Sequence, residues 1–135
     1  MLYLPDTNVW IHHLNPATSI AKTKLSSHSP AQIALCDVVK AELYYGAYKS
    51  AKREANLAVL ATLFVSFSSF PFDGEAARIS GKIRADLARK GTPIGPYDVQ
   101  IAAIALVNDC VLVTHNTGEF SRIAGLKLED WEAGK

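Results

Sequence analysis

The stretch CVLVT at residues 110–114 does most to limit what this chain can fold into. Its apolar residues are contiguous, without the polar alternation of a half-exposed strand. Such a run belongs to a strand buried on both faces, the usual state of a parallel sheet. Shorter runs of the same kind stand at 2–5 (LYLP) and 32–36 (QIALC). Helix-like segments separate them. Residues 8–14 suit a turn or two of helix stopped near Asn15-Pro16, and a second helix is expected from Thr18 to Ser26. Asp37 reads as the N-cap of a helix from Val38 to about Ser50. Leu57, Leu60, Ala61 and Phe64 follow the i, i+3, i+4, i+7 spacing of a helix face. Residues 65–72 (VSFSSFPF) are β-prone but broken by proline, as in an edge strand. Asp73 caps a helix with Ala76, Ile79, Ile83 and Leu87 inward, ended by Gly91. A Gly/Pro-rich loop then leads into a helix from about Tyr97 to Asn108. A short helix at 117–123 and a strand at 126–128 follow the CVLVT run. Strands alternating with helices predict an α/β domain with a mainly parallel sheet.

At 135 residues the chain fits one domain, 1–135, long enough for a proper core. A net charge of +1 points to no partner through bulk electrostatics, so nucleic-acid binding would need a local patch or bound ions. Cys36 and Cys110 have no ligand-type spacing, which argues against a structural zinc, and read as buried reduced thiols. No basic-then-apolar leader is visible, and no apolar stretch reaches the ~20 residues of a membrane helix. A cytoplasmic protein is expected.

In an open α/β sheet, ligands bind beyond the carboxyl ends of the strands. Four acids fall near the C-terminal end of a strand or the N-terminal part of a helix. Asp6 directly follows the first strand. Glu42 lies about a turn into the helix after QIALC, Asp98 starts the helix after the glycine–proline loop, and Glu119 follows CVLVT. Glu42 and Asp98 are flanked by apolar residues, where an unpaired carboxylate is costly. Gathered together, the four would raise one another's pKa, and a divalent cation would hold them ionised. Oxygen ligands without cysteine or paired histidine favour Mg²⁺ or Mn²⁺. Taken singly, each has a plainer reading. Asp6 and Asp98 could be helix caps, Glu119 a solvated acid, and Glu42 a partner of Lys40 or Lys49.

The stretches LPDTNVWI at 4–11, VVKAELYYGA at 38–47, IRADLARKGTPIGPYDVQIAA at 83–103 and VTHNTGEFSRIAGLKLEDW at 113–131 resemble the PIN-domain ribonucleases, and within them the VapC toxins of toxin–antitoxin modules. The resemblance implies a three-layer α/β/α fold with a mainly parallel central sheet of four to five strands. It implies Mg²⁺- or Mn²⁺-dependent hydrolysis of single-stranded RNA by an acidic quartet, matched here by Asp6, Glu42, Asp98 and Glu119. Thr7, Asn8, Thr114 and Asn116 match polar positions around the metal. A dimer is implied, as is a cognate VapB-like antitoxin whose C-terminal segment enters the acidic cleft. The form most similar to this chain attacks the anticodon loop of initiator tRNA, which stops translation. Lys40 and Cys36 depart from the small or hydroxyl residues common at their positions. Hydrolysis by an activated water would leave a 3′-hydroxyl and a 5′-phosphate.

Arg78, Lys82 and Arg89 form a basic stripe, and Lys90 and Tyr97 flank the glycine–proline loop. These could contact RNA or form a solvated face. Tyr44, Tyr45 and Tyr48 could stack bases but suit a protein interface better. His12, His13, His28 and His115 lack the spacing of a catalytic pair and read as surface or capping residues, with His115 the one worth testing. An aspartyl phosphatase would want an acid at position 8, where Asn8 stands. A non-catalytic module of the same fold, binding through its acidic cleft, remains the rival reading.

Overall fold

The computed structural model describes residues 1–15, 17 and 19–132. Five strands lie among them: β1 (Tyr3–Pro5), β2 (Ala34–Cys36), β3 (Ser68–Phe70), β4 (Val111–Val113) and β5 (Lys127–Glu129). The helices are α1 (Thr7–Leu14), α2 (Ile20–Ser26), α3 (Asp37–Lys49), α4 (Arg53–Ser66), α5 (Gly74–Arg89), α6 (Pro96–Val107) and α7 (Thr117–Phe120). The expected helix stop at Pro16 and start at Thr18 fall outside the described residues.

Every strand pairing is parallel. β1, β4 and β5 form one ladder, β2 and β3 another, and a parallel bridge between Tyr3 and Ile33 joins them. The order is therefore β3-β2-β1-β4-β5. All residues of β2 and β4 are buried, so helices cover both faces of the sheet. α6 is buried almost all round, with Val99 and Ile101 to Ala105 inaccessible to solvent. Trp10, Phe120 and Trp131 are the largest fully buried side chains. No helix among the described residues is long and apolar enough to cross a membrane.

The chain runs from β1 outward to β2 and β3, then returns to β4 on the other flank of β1. The strand order thus reverses between β1 and β4, the place where an open α/β sheet offers a crevice at the carboxyl ends of its strands. The turn into α6 is set by the end of α5. Gly91 takes φ +70°, its N–H donates to Ala88 O, and Thr92 N–H donates to Leu87 O. This double bond pattern at a left-handed glycine stops a helix sharply. The loop that follows delivers Pro96 to the first turn of α6, where its fixed φ suits a helix start.

Two local expectations change. β2 runs straight into α3, so the cap position falls on the strand's last residue, Cys36, and Asp37 becomes the first helical residue. It still serves the helix as an acid at the positive end of the dipole. On α4 the buried residues are Leu60 and Leu63, Leu57 and Phe64 are half-buried, and Ala61 is exposed. α4 packs against α3 and the edge strand β3, so a narrow apolar strip suffices.

Candidate active site

The four acids stand about the β1–β4 crevice, near enough for Asp6, Glu42 and Glu119 each to act on Asp98. Asp6 follows β1 directly, and its backbone N–H donates to Val113 O at 2.9 Å, extending the β1–β4 ladder by one rung. Its side chain caps α1, with Oδ1 accepting from Val9 N at 3.1 Å. Capping and presentation of a carboxylate to the crevice are therefore both properties of one buried residue. Burial is the main force raising the Asp6 carboxyl above its ordinary value. The Thr114 hydroxyl and the Val9 N–H oppose it, while the charges of Glu132 and Glu42 add to it.

Asp98 stands in the first turn of α6, but the cap position belongs to Gly95, which offers no side chain. The carboxylate is therefore not consumed by capping. Burial raises its pKa most, and Asp6, Glu42 and Glu119 each raise it further, to about 6. Asp98 thus feels all three other acids, which come from separate segments of the chain. Among the described residues none of the four forms an ion pair with lysine, arginine or histidine. The suggested pairing of Glu42 with Lys40 or Lys49 is absent.

Polar neighbours hold three of the acids. Thr7 Oγ1 donates to Glu42 Oε1 at 2.6 Å, tying α1 to α3. Asn116 Nδ2 donates to Glu119 Oε2 at 2.8 Å, and Asn116 N–H donates to Thr114 Oγ1 at 3.0 Å. Thr114 itself is fully buried beside Asp6. Asn8 is exposed on α1 and makes no side-chain hydrogen bond among the described residues, so the structure gives it no place in this network.

The donor set is entirely oxygen. As positioned, no three Asp, Glu, His or Cys side chains among the described residues stand close enough to ligate one ion directly. That arrangement fits Mg²⁺, which keeps several waters and takes only one or two carboxylates from a protein. It does not fit a caged structural ion.

Sequence reasoning missed Glu132. It follows β5 by three residues, comes within 3.6 Å of His12 Nε2, and is the foremost charge acting on Asp6. The register supplies the missing signal. Pro5, Val113 and Glu129 stand in one row, so residues just past β5 reach the same rim as Asp6. The histidines are more varied than surface groups. His13 is half-buried, and burial lowers its pKa. His28 stacks on Trp131 at 4.8 Å, and His115 Nδ1 lies 3.0 Å from Asp130 rather than against any of the four acids. Arg78 pairs with Glu75, and Lys82 and Arg89 pair with Asp86, so much of the charge of the basic stripe is neutralised on its own helix. Cys36 and Cys110 are buried free thiols, pushed up to about 11 by burial.

The PIN domain family matches residues 3–126. The chain belongs to the PIN-domain family. Over 129 residues it is 38% identical to the tRNA(fMet)-specific endonuclease VapC of Salmonella typhimurium, covering 96% of this chain and 97% of that one. The ribonuclease VapC2 of Rickettsia felis is 34% identical over 134 residues, 98% of this chain and 99% of its own. Among solved structures, the DNA-bound VapBC of Salmonella typhimurium aligns with a TM-score of 0.88 at 39% identity, over 97% of this chain and 99% of that one. This PIN domain is thus similar over nearly its whole length to relatives named as an endonuclease and a ribonuclease.

Proposed function

We propose that this PIN domain is a divalent-metal-dependent endoribonuclease acting as the toxin of a toxin–antitoxin pair in the cytoplasm. The observation that carries the reading is the convergence of Asp6, Glu42, Asp98 and Glu119 on one crevice with no ion pair to a cationic side chain among the described residues. Asp6 and Asp98 would hold Mg²⁺, or Mn²⁺ in its place, with Glu42 and Glu119 completing the shell through water. When bound, the ion supplies a water activated for attack and neutralises charge on the scissile phosphate. The protein's own part is positioning. Thr7 fixes the Glu42 oxygen, Asn116 fixes Glu119, and Thr114 steadies Asp6. Neighbours of this kind commonly change activity 10- to 100-fold when removed.

The substrate proposed is tRNA, and within it the anticodon loop of the initiator, because the Salmonella relative is named for tRNA(fMet). Loss of initiator tRNA would halt translation. A VapB-like antitoxin would restrain the enzyme, as the solved VapBC relatives suggest. An apolar groove of about 390 Å³ on one side of Glu42, lined by Ile11, Leu14, Leu43, Val59 and Leu60, suits its chain segment. The active form is proposed to be a homodimer.

Purified protein incubated with total tRNA and Mg²⁺ or Mn²⁺ tests the reading. Cleavage should vanish with EDTA and with Asp98→Asn. Equal cutting by wild type and variant, or indifference to chelation, would overturn it.

A further inference from the structure

A second cleft, of about 410 Å³, lies against Glu42 and is lined by Asp37, Val38, Ala41, Tyr45, Tyr97 and Gln100. Its size falls within the range of small-molecule sites, ~300–1,000 Å³. Two of its walls are tyrosines that the fold leaves in solvent, Tyr45 at 65% exposure and Tyr97 at 60%. The α3 tyrosines divide here. Tyr44 packs edge-on against Phe64 at 5.3 Å and lies beside Tyr48, whereas Tyr45 faces the cleft.

We infer that this cleft receives an unpaired base of the RNA next to the cleaved bond, stacked on Tyr45 and Tyr97. The inference rests on the endoribonuclease reading and deepens it. Glu42 belongs both to the cleft wall and to the catalytic crevice, and Tyr97 immediately precedes Asp98, so a nucleotide seated here adjoins the acids. Single-stranded RNA is read by splaying bases onto aromatic side chains. The charges favour this orientation. Asp37 and Glu42 repel a phosphate but not a base, so the base enters and the backbone stays outside. Lys49 Nζ sits over the Tyr45 ring at 5.5 Å from its centroid, beside where that backbone would pass. The Gln100 amide makes no side-chain hydrogen bond among the described residues and Asp37 forms no ion pair there. A donor–acceptor amide and an acceptor carboxylate are therefore free to meet the edge of a base.

The test uses fluorescein-labelled single-stranded homopolymer oligoribonucleotides with full-length protein. Binding is read in an Asp98→Asn background, where cleavage does not interfere. Tyr45→Ala and Tyr97→Ala should each weaken binding by about 5- to 150-fold, the value of a lost base–aromatic stack. Tyr45→Phe and Tyr97→Phe should restore it. With Asp98 intact, the alanine variants should raise KM far more than they lower kcat. An abasic nucleotide beside the cut should cost the wild type what it no longer costs the alanine variants. Both tyrosines are exposed, so the substitutions leave the core untouched. Wild-type cleavage with unchanged constants in the alanine variants overturns the base subsite and leaves the nuclease reading standing. So does a loss confined to inhibition by the antitoxin, which makes the cleft a protein site. Failure of the wild type to cut any RNA overturns the nuclease reading. The binding measurements still decide whether the tyrosines hold a base.

Discussion

Replacing Asp98 by asparagine should abolish catalysis and yet make the metal-free protein more stable. The Asp98 carboxyl is held at about 6 instead of 3.8 by burial and by Asp6, Glu42 and Glu119. At 1.36 kcal/mol per pH unit, that interval sets a ceiling of about 3 kcal/mol against the anion in the folded state. Asp98 is only partly buried, so solvent screening cuts the figure to about 1–2 kcal/mol. The raised pKa means that the folded protein binds a proton the unfolded chain has released. The associated stability is therefore complete below the unfolded value of 3.8 and is lost as pH climbs through about 6. Asp98→Asn removes a penalty fully present at pH 7.5 and nearly absent at pH 4. For a chain of 135 residues, about 1–2 kcal/mol corresponds to a Tm rise of roughly 3–7 °C. Thermal unfolding followed by circular dichroism in EDTA, at both pH values, provides the assay. A Tm gain at pH 7.5 that disappears at pH 4 is expected. Added Mg²⁺ should stabilise the wild type more than the variant, since binding to the native state alone raises its stability. An unchanged or lowered Tm at pH 7.5, or an equal gain at both pH values, would refute the idea that mutual repulsion sets the properties of this site.

Three further outcomes follow from local geometry. Asp6→Asn keeps an oxygen for the Val9 N–H, so the fold should persist while RNA cleavage is lost; Asp6→Ala should lose cleavage and also about 1 kcal/mol of stability in a urea titration. Thr7→Val preserves side-chain shape but deletes the 2.6 Å bond to Glu42. Cleavage should fall about 10- to 100-fold with only about 1 kcal/mol lost from stability, and a wild-type rate would show that Glu42 needs no anchoring. Asp109→Gly should raise stability by about 0.5–1 kcal/mol without altering cleavage. Asp109 carries φ +53° just past α6, a conformation that costs a side chain, and its exposed pairing with Lys127 contributes little.

The sequence disclosed those parts of the molecule that depend on local pattern. The unalternated run at 111–113 predicts a strand covered on both faces, and β4 is one; the apolar face of Ala76, Ile83 and Leu87 is the buried face of α5. The position of Asp6 was legible for the same reason, because it directly follows β1 and strand boundaries alone locate it, whereas Glu42 and Asp98 lie on α3 and α6 and meet it only through the fold. Features made by register were not legible. Glu132 reaches Asp6 because β5 lies beside β4 in line with β1, a fact with no trace in the spacing of its neighbours. Asp37 reads as a cap only if a linker separates strand from helix, and none does. Tyr44, Tyr45 and Tyr48 are indistinguishable in the sequence. They part company because Phe64, from α4, claims Tyr44, and the start of α6 brings Tyr97 towards Tyr45.

Because all five strands point the same way, the protein has a working pole and a quiet one. Asp109, at the turn between α6 and β4, belongs to the quiet pole, a sheet's length from the carboxylates. Changes there alter how firmly the scaffold holds without addressing what it does. A dye, a tag or a tether attached at that end would stand clear of the carboxylates at the opposite rim.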